Sequence, residues 1–262
     1  MKVTVCQLDD GALDGGSALE RDWQRLAAHV AQARSDLVLL PEMPFHPWLC
    51  GTPDGAADED RWRAAVRAHD HWLERLDELA PAAVVGTRAA LRDGRRLNEG
   101  FVWDAAEGYR AAHDKRHLPE EEGFWEAAWY GRGDGAFDIT HIAGARVGWL
   151  ICSELWFAEW GRRQGREGAQ VILSPRATPA STVSKWIAGG RAAAVVSGAY
   201  NLSSNRAGTS LQGMRWGGTG WIIDPEGRVL GLTNDEHPFV TIKVDLALAD
   251  ESKATYPRYI AE

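Results

Sequence analysis

The sequence predicts a mixed α/β fold in which helices cover β-sheets. Short apolar runs, typical of buried strands, alternate with segments whose apolar residues recur at helical spacing. Turn signals such as Asp93-Gly94 interrupt this alternation, which indicates hairpins and therefore mixed sheets. The 262 residues are 45% hydrophobic, which is enough for one large core. Because no linker or internal repeat stands out, we expect a single domain over residues 1–262.

The N-terminal part alternates between strand and helix patterns. Continuous apolar runs predict strands over residues 3–7, 37–40, 84–90 and 101–104. Apolar residues at helical spacing predict helices over residues 19–30 and 62–76, and Pro81 ends the second pattern. Trp23 and Trp72 lie on the apolar stripes of these helices, so we expect both to pack in the core.

The central segment ends two predicted strands at reactive side chains. In residues 109–115, strand alternation places Tyr109, Ala111, His113 and Lys115 on one face, with Lys115 at the strand end. A hairpin-like pair over residues 137–142 and 147–151 ends at Cys152. Beyond it we predict a polar helix, strands over residues 170–173, 221–223, 229–232 and 240–244, and a long helix over residues 181–199 that is interrupted at Gly189-Gly190.

Composition excludes several classes of protein. The net charge of -8 is spread along the chain without a basic stripe, so nucleic acid is not an expected partner. No apolar run approaches the roughly 20 residues of a membrane span, and the N-terminus lacks a signal-peptide pattern. Three cysteines are an odd number that fits a reducing compartment, so we expect a cytoplasmic protein. No cysteine or histidine cluster has metal-ligand spacing, and no cofactor is indicated.

Cys152 is a candidate nucleophile. It follows the apolar run 147–151 and opens a helical turn, where free N–H groups and the positive end of the helix would lower the pKa of its thiol. The same N–H groups could bind an oxyanion. A buried, unreactive cysteine is the alternative, and position alone does not decide between them.

Glu42 and Lys115 are candidate partners of this thiol. Glu42 closes the apolar run 37–41, a placement that suits a carboxylate for proton transfer, although a strand-end acid in solvent has the same pattern. Lys115 alone also fits a surface lysine. All three residues end separate predicted strands, however, and active sites of sheet-based folds collect at strand ends.

The contexts of these residues resemble the three motifs of the nitrilase, or carbon-nitrogen hydrolase, superfamily, in the same order along the chain. The matching segments are Leu39-Leu40-Pro41-Glu42, His113-Asp114-Lys115-Arg116-His117-Leu118 and Gly148-Trp149-Leu150-Ile151-Cys152-Ser153-Glu154. Further landmarks that resemble the family are Val5-Cys6-Gln7, Asn98, the segment 168–175, Asn205-Arg206 and the segment 218–227. Each motif is weak alone, but the ordered set covers most of the chain.

This resemblance implies a four-layer αββα sandwich and a Glu42–Lys115–Cys152 triad. It also implies a second glutamate at a fixed interval before a Gly-Asp pair, and counting back from Gly133-Asp134 selects Glu126, with Glu122 as the competitor. The backbone N–H of Ser153 would assist Lys115 in binding the oxyanion. Members of the superfamily typically associate, so a homodimer or larger homo-oligomer is implied as well.

The expected activity is hydrolysis of a small, non-peptide amide through a thioester on Cys152. Leu155 and Trp156 stand where N-carbamoyl-D-amino-acid hydrolases carry an arginine pair, which disfavours that subclass. A nitrilase and an amide-forming acyltransferase would use the same triad, and a catalytically silent binding module is the alternative of another class. A Cys-His protease would need a histidine beside Cys152; His113 and His117, which flank Lys115, are interpreted as supporting or structural residues.

Substrate selection is predicted only in outline. Four tryptophans near the candidate residues would give a pocket suited to an apolar, aromatic or cationic acyl group; they are Trp48, Trp125, Trp129 and Trp156. Arg176 and Lys185, downstream of the cysteine, could reach a substrate carboxylate, although as exposed charges they would need no function.

Overall fold

The computed structural model describes residues 1–260 and contains two β-sheets. The strands are β1 Lys2–Asp9, β2 Leu37–Leu39, β3 Ala83–Arg92, β4 Arg95–Asp104, β5 Gly108–Asp114, β6 Thr140–Ile142, β7 Ala145–Trp149, β8 Val171–Leu173, β9 Tyr200–Ser203, β10 Asn205–Ala207, β11 Trp221–Ile223, β12 Val229–Leu232 and β13 Phe239–Lys243. The α-helices are α1 Ser17–Ala33, α2 Glu59–Leu73, α3 Glu126–Trp129, α4 Ala158–Arg166, α5 Val183–Ser197 and α6 Leu246–Ser252.

The first sheet has the order β10-β1-β2-β3-β4-β5, and β13 also pairs with β1. Strands β1, β2 and β3 are parallel, whereas β4 is antiparallel to both β3 and β5. Strands β2 and β5 therefore run in the same direction, and their carboxyl ends lie at the same edge of the sheet. The second sheet has the order β12-β11-β9-β8-β7-β6, with β7, β8 and β9 parallel.

The two sheets face each other, and helices cover their outer surfaces. The inner layer joins Val5 and Leu39 of the first sheet to Val147 and Val171 of the second. Helix α1 packs Trp23 against the outer face of the first sheet, and α5 packs its alanines against the outer face of the second. The expected four-layer αββα sandwich is confirmed, and both faces of the central strands are buried, as their continuous apolar sequences require.

A bulge in β5 changes the predicted alternation. Phe101 is opposite Ala111, but the next residue back, Gly100, is opposite His113, so Ala112 is an extra residue in the strand. An extra residue reverses the side-chain alternation beyond it. Tyr109 and Ala111 consequently lie on the opposite face from His113 and Lys115, and the prediction of one shared face is wrong.

Helix α5 is continuous, which corrects the predicted interruption at Gly189-Gly190. A Cβ atom at Gly190 would lie 2.7 Å from the ring of Trp221, and one at Gly189 would lie 2.9 Å from the ring of Trp156. These glycines therefore allow two indole rings to pack directly against the helix backbone. No helix is predicted from the sequence over the residues of α6.

Candidate active site

Glu42 lies in the turn that follows β2. Its side chain is fully buried, and its backbone N–H donates to the carbonyl of Arg176 at 3.2 Å. Met43 has a left-handed φ of 44°, a conformation that costs energy in a non-glycine residue. The buried Arg206 guanidinium stabilises this turn by donating to the carbonyls of Glu42, at 3.0 Å, and of Met43.

Lys115 lies between two buried carboxylates. Its ammonium donates to Glu42 Oε1 at 2.7 Å and to Glu126 Oε2 at 2.6 Å. Burial would by itself lower the pKa of Lys115, but the carboxylates of Glu126 and Glu42 outweigh burial and raise that pKa well above its usual value. Lys115 is therefore a permanently charged link between the two acids.

Glu126 is the first residue of the short helix α3. Burial of Glu126 raises the pKa of its carboxyl to about 7, although Lys115 opposes this shift. Tyr130, one helical turn later, donates its hydroxyl to Glu126 Oε2. The competing candidate, Glu122, is exposed. The structure thus brings Glu126, and not Glu122, to Lys115.

Only one oxygen of Glu42 is used in this network. Asn98 Nδ2 donates to Glu42 Oε1 at 2.8 Å, as does Lys115. Among the atoms of residues 1–260, Glu42 Oε2 has no hydrogen-bond partner although it is buried. A buried carboxylate oxygen without a donor is costly to desolvate, and it is available to accept a proton.

Cys152 lies at a strained turn after β7. Its φ is 46°, and it begins a 3₁₀ turn, Cys152–Trp156. Burial, followed by the charge of Glu42, raises the pKa of the Cys152 thiol well above its usual value, so the expected lowering is wrong in direction. The thiol is buried and the turn is short, so the free-energy cost of burying a thiolate exceeds the stabilisation by the backbone N–H groups.

Glu154 joins the cysteine turn to the end of β5. Its Oε2 accepts from Ile151 N and from His113 Nε2, both at 2.9 Å, and its Oε1 accepts from Arg116 N at 2.7 Å. Burial opposes ionisation of Glu154, but His113 and the backbone donors lower the pKa of its carboxyl below the usual value. Glu154 therefore connects the segments on either side of Lys115 to the residue before Cys152.

His117, the second histidine that flanks Lys115, is also held by packing and hydrogen bonds. The ring of His117 stacks on Phe157 with the centroids 3.7 Å apart, and its Nε2 accepts from Trp160 Nε1 at 2.9 Å. Ser153 donates its hydroxyl to the carbonyl of His117. The histidines flanking Lys115 are thus held by partners other than Cys152.

A cavity of about 250 Å³ opens above Cys152. Glu126, Cys152 and Ser153 lie among its walls together with three aromatic rings, those of Phe124, Trp156 and Trp186. Its remaining lining residues are Pro119, Glu121, Ala177, Thr178, Pro179, Thr182 and Lys185.

Three of the four tryptophans expected at the pocket lie outside this lining. Trp48 is buried and donates its indole N–H to Gly123 O at 3.0 Å. The backbone N–H of Trp125 donates to Cys50 O at 3.0 Å, and Trp129 is buried beneath the guanidinium of Arg61. Trp48 thus holds the loop 119–125 through Gly123, and the backbone of Trp125 joins the end of that loop to Cys50. Trp156 lies in the cavity wall.

Arg176 is fully buried, so its expected exposure is wrong. It donates to the hydroxyls of Ser203 and Thr178, each at 2.7 Å, and to Thr219 O at 2.8 Å. Within residues 1–260 its guanidinium forms no ion pair, and burial lowers the pKa of Arg176 to about 9. Arg176 lies behind the cavity wall formed by Ala177 and Thr178 and does not itself line the cavity.

The sequence alone assigns no role to several residues at the site. Tyr130 could have been found from its position one turn after Glu126, and Arg206 from its place in a family landmark. Phe124 and Trp186 gave no local signal, because their positions in the cavity depend on contacts between distant segments. Within residues 1–260, no group of three or more histidine, cysteine or acidic side chains is arranged to hold a metal ion. No helix in that range is long and apolar enough to cross a membrane.

Solved structures of a carbon-nitrogen hydrolase and of an amidase share this fold. The carbon-nitrogen hydrolase of Helicobacter pylori G27 superposes with a TM-score of 0.83 at 17% identity, covering 98% of this chain and 94% of its own. An amidase from Nesterenkonia sp. superposes with a TM-score of 0.78 at 20% identity, covering 96% and 92%. The fold of this chain is therefore the nitrilase-type αββα sandwich.

The family model for carbon-nitrogen hydrolases matches residues 2–254, so the chain belongs to the carbon-nitrogen hydrolase family. It is 26% identical over 226 residues to the 2-oxoglutaramate amidase of Bacillus subtilis, covering 85% of this chain and 83% of that protein. It is 25% identical over 255 residues to the omega-amidase YafV of Escherichia coli, covering 95% and 91%. The resemblance inferred from the sequence motifs is confirmed.

Proposed function

We propose that this protein hydrolyses small non-peptide amides through a thioester on Cys152. The single observation that carries the proposal is the buried Lys115 ammonium between Glu42 and Glu126, with Glu42 Oε2 left without a donor. Similarity to enzymes named 2-oxoglutaramate amidase, omega-amidase and N-carbamoylputrescine amidase supports an amide substrate.

The first half of the reaction forms the thioester. Glu42 Oε2 takes the proton from Cys152 as the sulfur attacks the amide carbonyl carbon, which becomes tetrahedral. The Lys115 ammonium and the Ser153 backbone N–H stabilise the negative oxygen. The carbon–nitrogen bond then breaks, Glu42 returns the proton to the nitrogen, and ammonia or an amine leaves.

The second half restores the enzyme. A water molecule attacks the thioester while Glu42 takes one of its protons, and the carbon–sulfur bond breaks to release a carboxylic acid. Glu42 then returns the proton to the sulfur. Glu126 positions Lys115 throughout, because its carboxylate and that of Glu42 hold the ammonium from two sides.

The raised pKa of Cys152 fits this assignment. A thiol that stays protonated at neutral pH needs a base when it attacks, and Glu42 provides that base. The reactive thiolate would therefore exist only during turnover.

Mass spectrometry of the intact protein after incubation with amides, nitriles and carbamoyl compounds tests the proposal. Fluoroacetamide is one suitable probe, because its acetamide moiety adds covalently at the active-site cysteine of a mutant of the Nesterenkonia amidase. With amides that turn over we expect an acyl adduct on Cys152, and with fluoroacetamide an acetamide adduct formed with loss of fluoride. Neither adduct should form in Cys152→Ala. The matched control is Cys6→Ala, which removes a buried thiol outside the cavity and should leave the adduct unchanged.

Glu42→Gln should slow turnover by roughly 10²- to 10⁴-fold, the usual contribution of a general base. Hydroxylamine in a parallel reaction would intercept the thioester and reveal whether an amine can replace water. Full activity of Cys152→Ala would exclude the mechanism.

A further inference from the structure

We propose, on the basis of the function above, that the substrate is the amide of a zwitterion: its far end carries a carboxylate that Lys185 binds and an ammonium group that Glu121 binds. Both side chains line the cavity that contains Cys152. Neither residue has a role in the chemical steps, so their charges are available for substrate selection.

Lys185 lies in the first turn of α5, and Trp156 places it at the cavity. Its ammonium lies 5.7 Å from the centroid of the Trp156 ring. That ring rests against α5 at Gly189, where a Cβ atom would lie only 2.9 Å away. Trp156 also packs on Trp186, with centroids 4.9 Å apart, so an aromatic surface supports the lysine side chain.

Glu121 belongs to a different wall, the loop 119–125. The backbone N–H of Phe124 donates to Glu121 O at 2.8 Å, and Ala127 N donates to Pro119 O at 3.1 Å. Trp48 supports the same loop from behind through Gly123. The backbone that carries Glu121 is therefore fixed relative to Trp48 and to helix α3, which begins at Glu126.

Among residues 1–260, the side chains of Lys185 and Glu121 form neither an ion pair nor a hydrogen bond, with each other or with another residue. Both side chains are exposed, so a neutral ligand would leave their charges to water and gain nothing from them. An anionic ligand would satisfy Lys185 and be repelled by Glu121, and a cationic ligand would do the reverse. A zwitterion gives each charge an opposite partner.

The size and walls of the cavity fit a short substrate of this kind. The volume of about 250 Å³ is small for a ligand site. The ring of Phe124 and those of the two tryptophans give the methylene groups between amide and charges an apolar surface to contact. The substrate class is therefore the omega-amides of small α-amino acids.

Four amides that differ only in charge test this assignment. L-Glutamine carries both groups, glutaramate lacks the ammonium, 4-aminobutanamide lacks the carboxylate, and butanamide lacks both. We expect kcat/KM to fall by about two- to fivefold for each charge removed, the range for an exposed ion pair.

Two variants separate the contributions. Lys185→Met should remove the advantage of L-glutamine over 4-aminobutanamide and keep its advantage over glutaramate. Glu121→Gln should do the opposite. The controls are Lys243→Met and Glu122→Gln, which neutralise exposed residues outside the cavity and should preserve both ratios.

Binding to Cys152→Ala, measured by calorimetry, separates this inference from the proposed function. Preferred binding of L-glutamine without turnover by the unmodified enzyme would contradict the function and support the charge subsite. Turnover or binding of butanamide equal to that of L-glutamine would overturn the subsite. A preference for glutaramate over L-glutamine that Glu121→Gln does not change would also overturn the subsite. So would a preference for 4-aminobutanamide over L-glutamine that Lys185→Met does not change.

Discussion

Glu154 and His113 form a buried ion pair, with His113 Nε2 2.9 Å from Glu154 Oε2. The pair links the residue before Cys152 to His113 in β5, two residues before Lys115, because Glu154 also accepts from Ile151 N. Two segments that are distant in sequence are thereby held at a fixed separation. The relative position of Cys152 and Lys115 depends on this link.

Glu154→Gln should destabilise the protein in a pH-dependent way. Glu154 outweighs burial and raises the pKa of His113. The stability that protonated His113 contributes is therefore fully present below its unfolded pKa of 6.5 and is lost as pH rises through its folded pKa. The pKa of Glu154 is lowered. The stability that its carboxylate contributes is therefore present above its unfolded pKa of 4.5 and is lost as pH falls through its folded pKa. We expect a cost of about 3 kcal/mol near pH 5.5, the low end for breaking a buried pair, and less at pH 9.

Urea unfolding across this pH range measures the cost, and Glu120→Gln, an exposed change, is the control. A difference in unfolding free energy that is the same at every pH would contradict the assignment of the pair.

Tyr130→Phe should shift the pH profile of turnover. The hydroxyl of Tyr130 donates to Glu126 and stabilises its ionised form, so its removal should raise the pKa of Glu126 further above about 7. If Lys115 is positioned by ionised Glu126, the acid limb of kcat against pH moves to higher pH. Tyr109→Phe, which removes a hydroxyl that donates a hydrogen bond to Glu99, should leave the acid limb of kcat in place. An unchanged limb in Tyr130→Phe would mean that ionisation of Glu126 does not limit turnover.

Arg176→Met should slow alkylation of Cys152 at a given pH. The buried guanidinium and the thiolate attract each other, as the effect of Cys152 on the pKa of Arg176 indicates. Loss of the positive charge should therefore raise the pKa of the thiol and move the rate profile of iodoacetamide to higher pH. Arg176→Lys keeps the charge and should show a smaller displacement. Equal profiles for all three proteins would show that Arg176 acts only through packing.

Gly190→Ala should destabilise the protein, whereas Gly161→Ala should not. The new Cβ at position 190 would lie 2.7 Å from the Trp221 ring, which is fully buried and whose N–H donates to Asn201 Oδ1 at 2.6 Å. We expect a loss of about 2 to 3 kcal/mol, at the upper end for overpacking. At Gly161 in α4 the nearest atom would be 3.5 Å away, so alanine should gain up to about 1 kcal/mol of helix propensity. Thermal unfolding of both variants measures the difference; equal midpoints would contradict this packing argument.

The sequence by itself determined the fold class, most strand positions and the order of the candidate residues. Apolar runs such as 37–40 and 147–151 specify buried strands because their periodicity is local, and the residues that end them follow directly. Glu42, Lys115 and Cys152 were candidates because each ends a predicted strand, and the resemblance of their ordered motifs to a family selected them over the bland alternatives. The choice of Glu126 depended on a family interval.

Only the tertiary structure decided what surrounds those residues. The bulge at Ala112 reverses the alternation of β5, and no local pattern announces it. Burial of Arg176 and the high pKa of Cys152 depend on how segments from both sheets exclude water. Trp156 and Trp186 lie in the cavity wall, whereas Trp48 supports a loop through Gly123. The sequence could not separate these roles, because the distance between two residues along the chain does not give their distance in space.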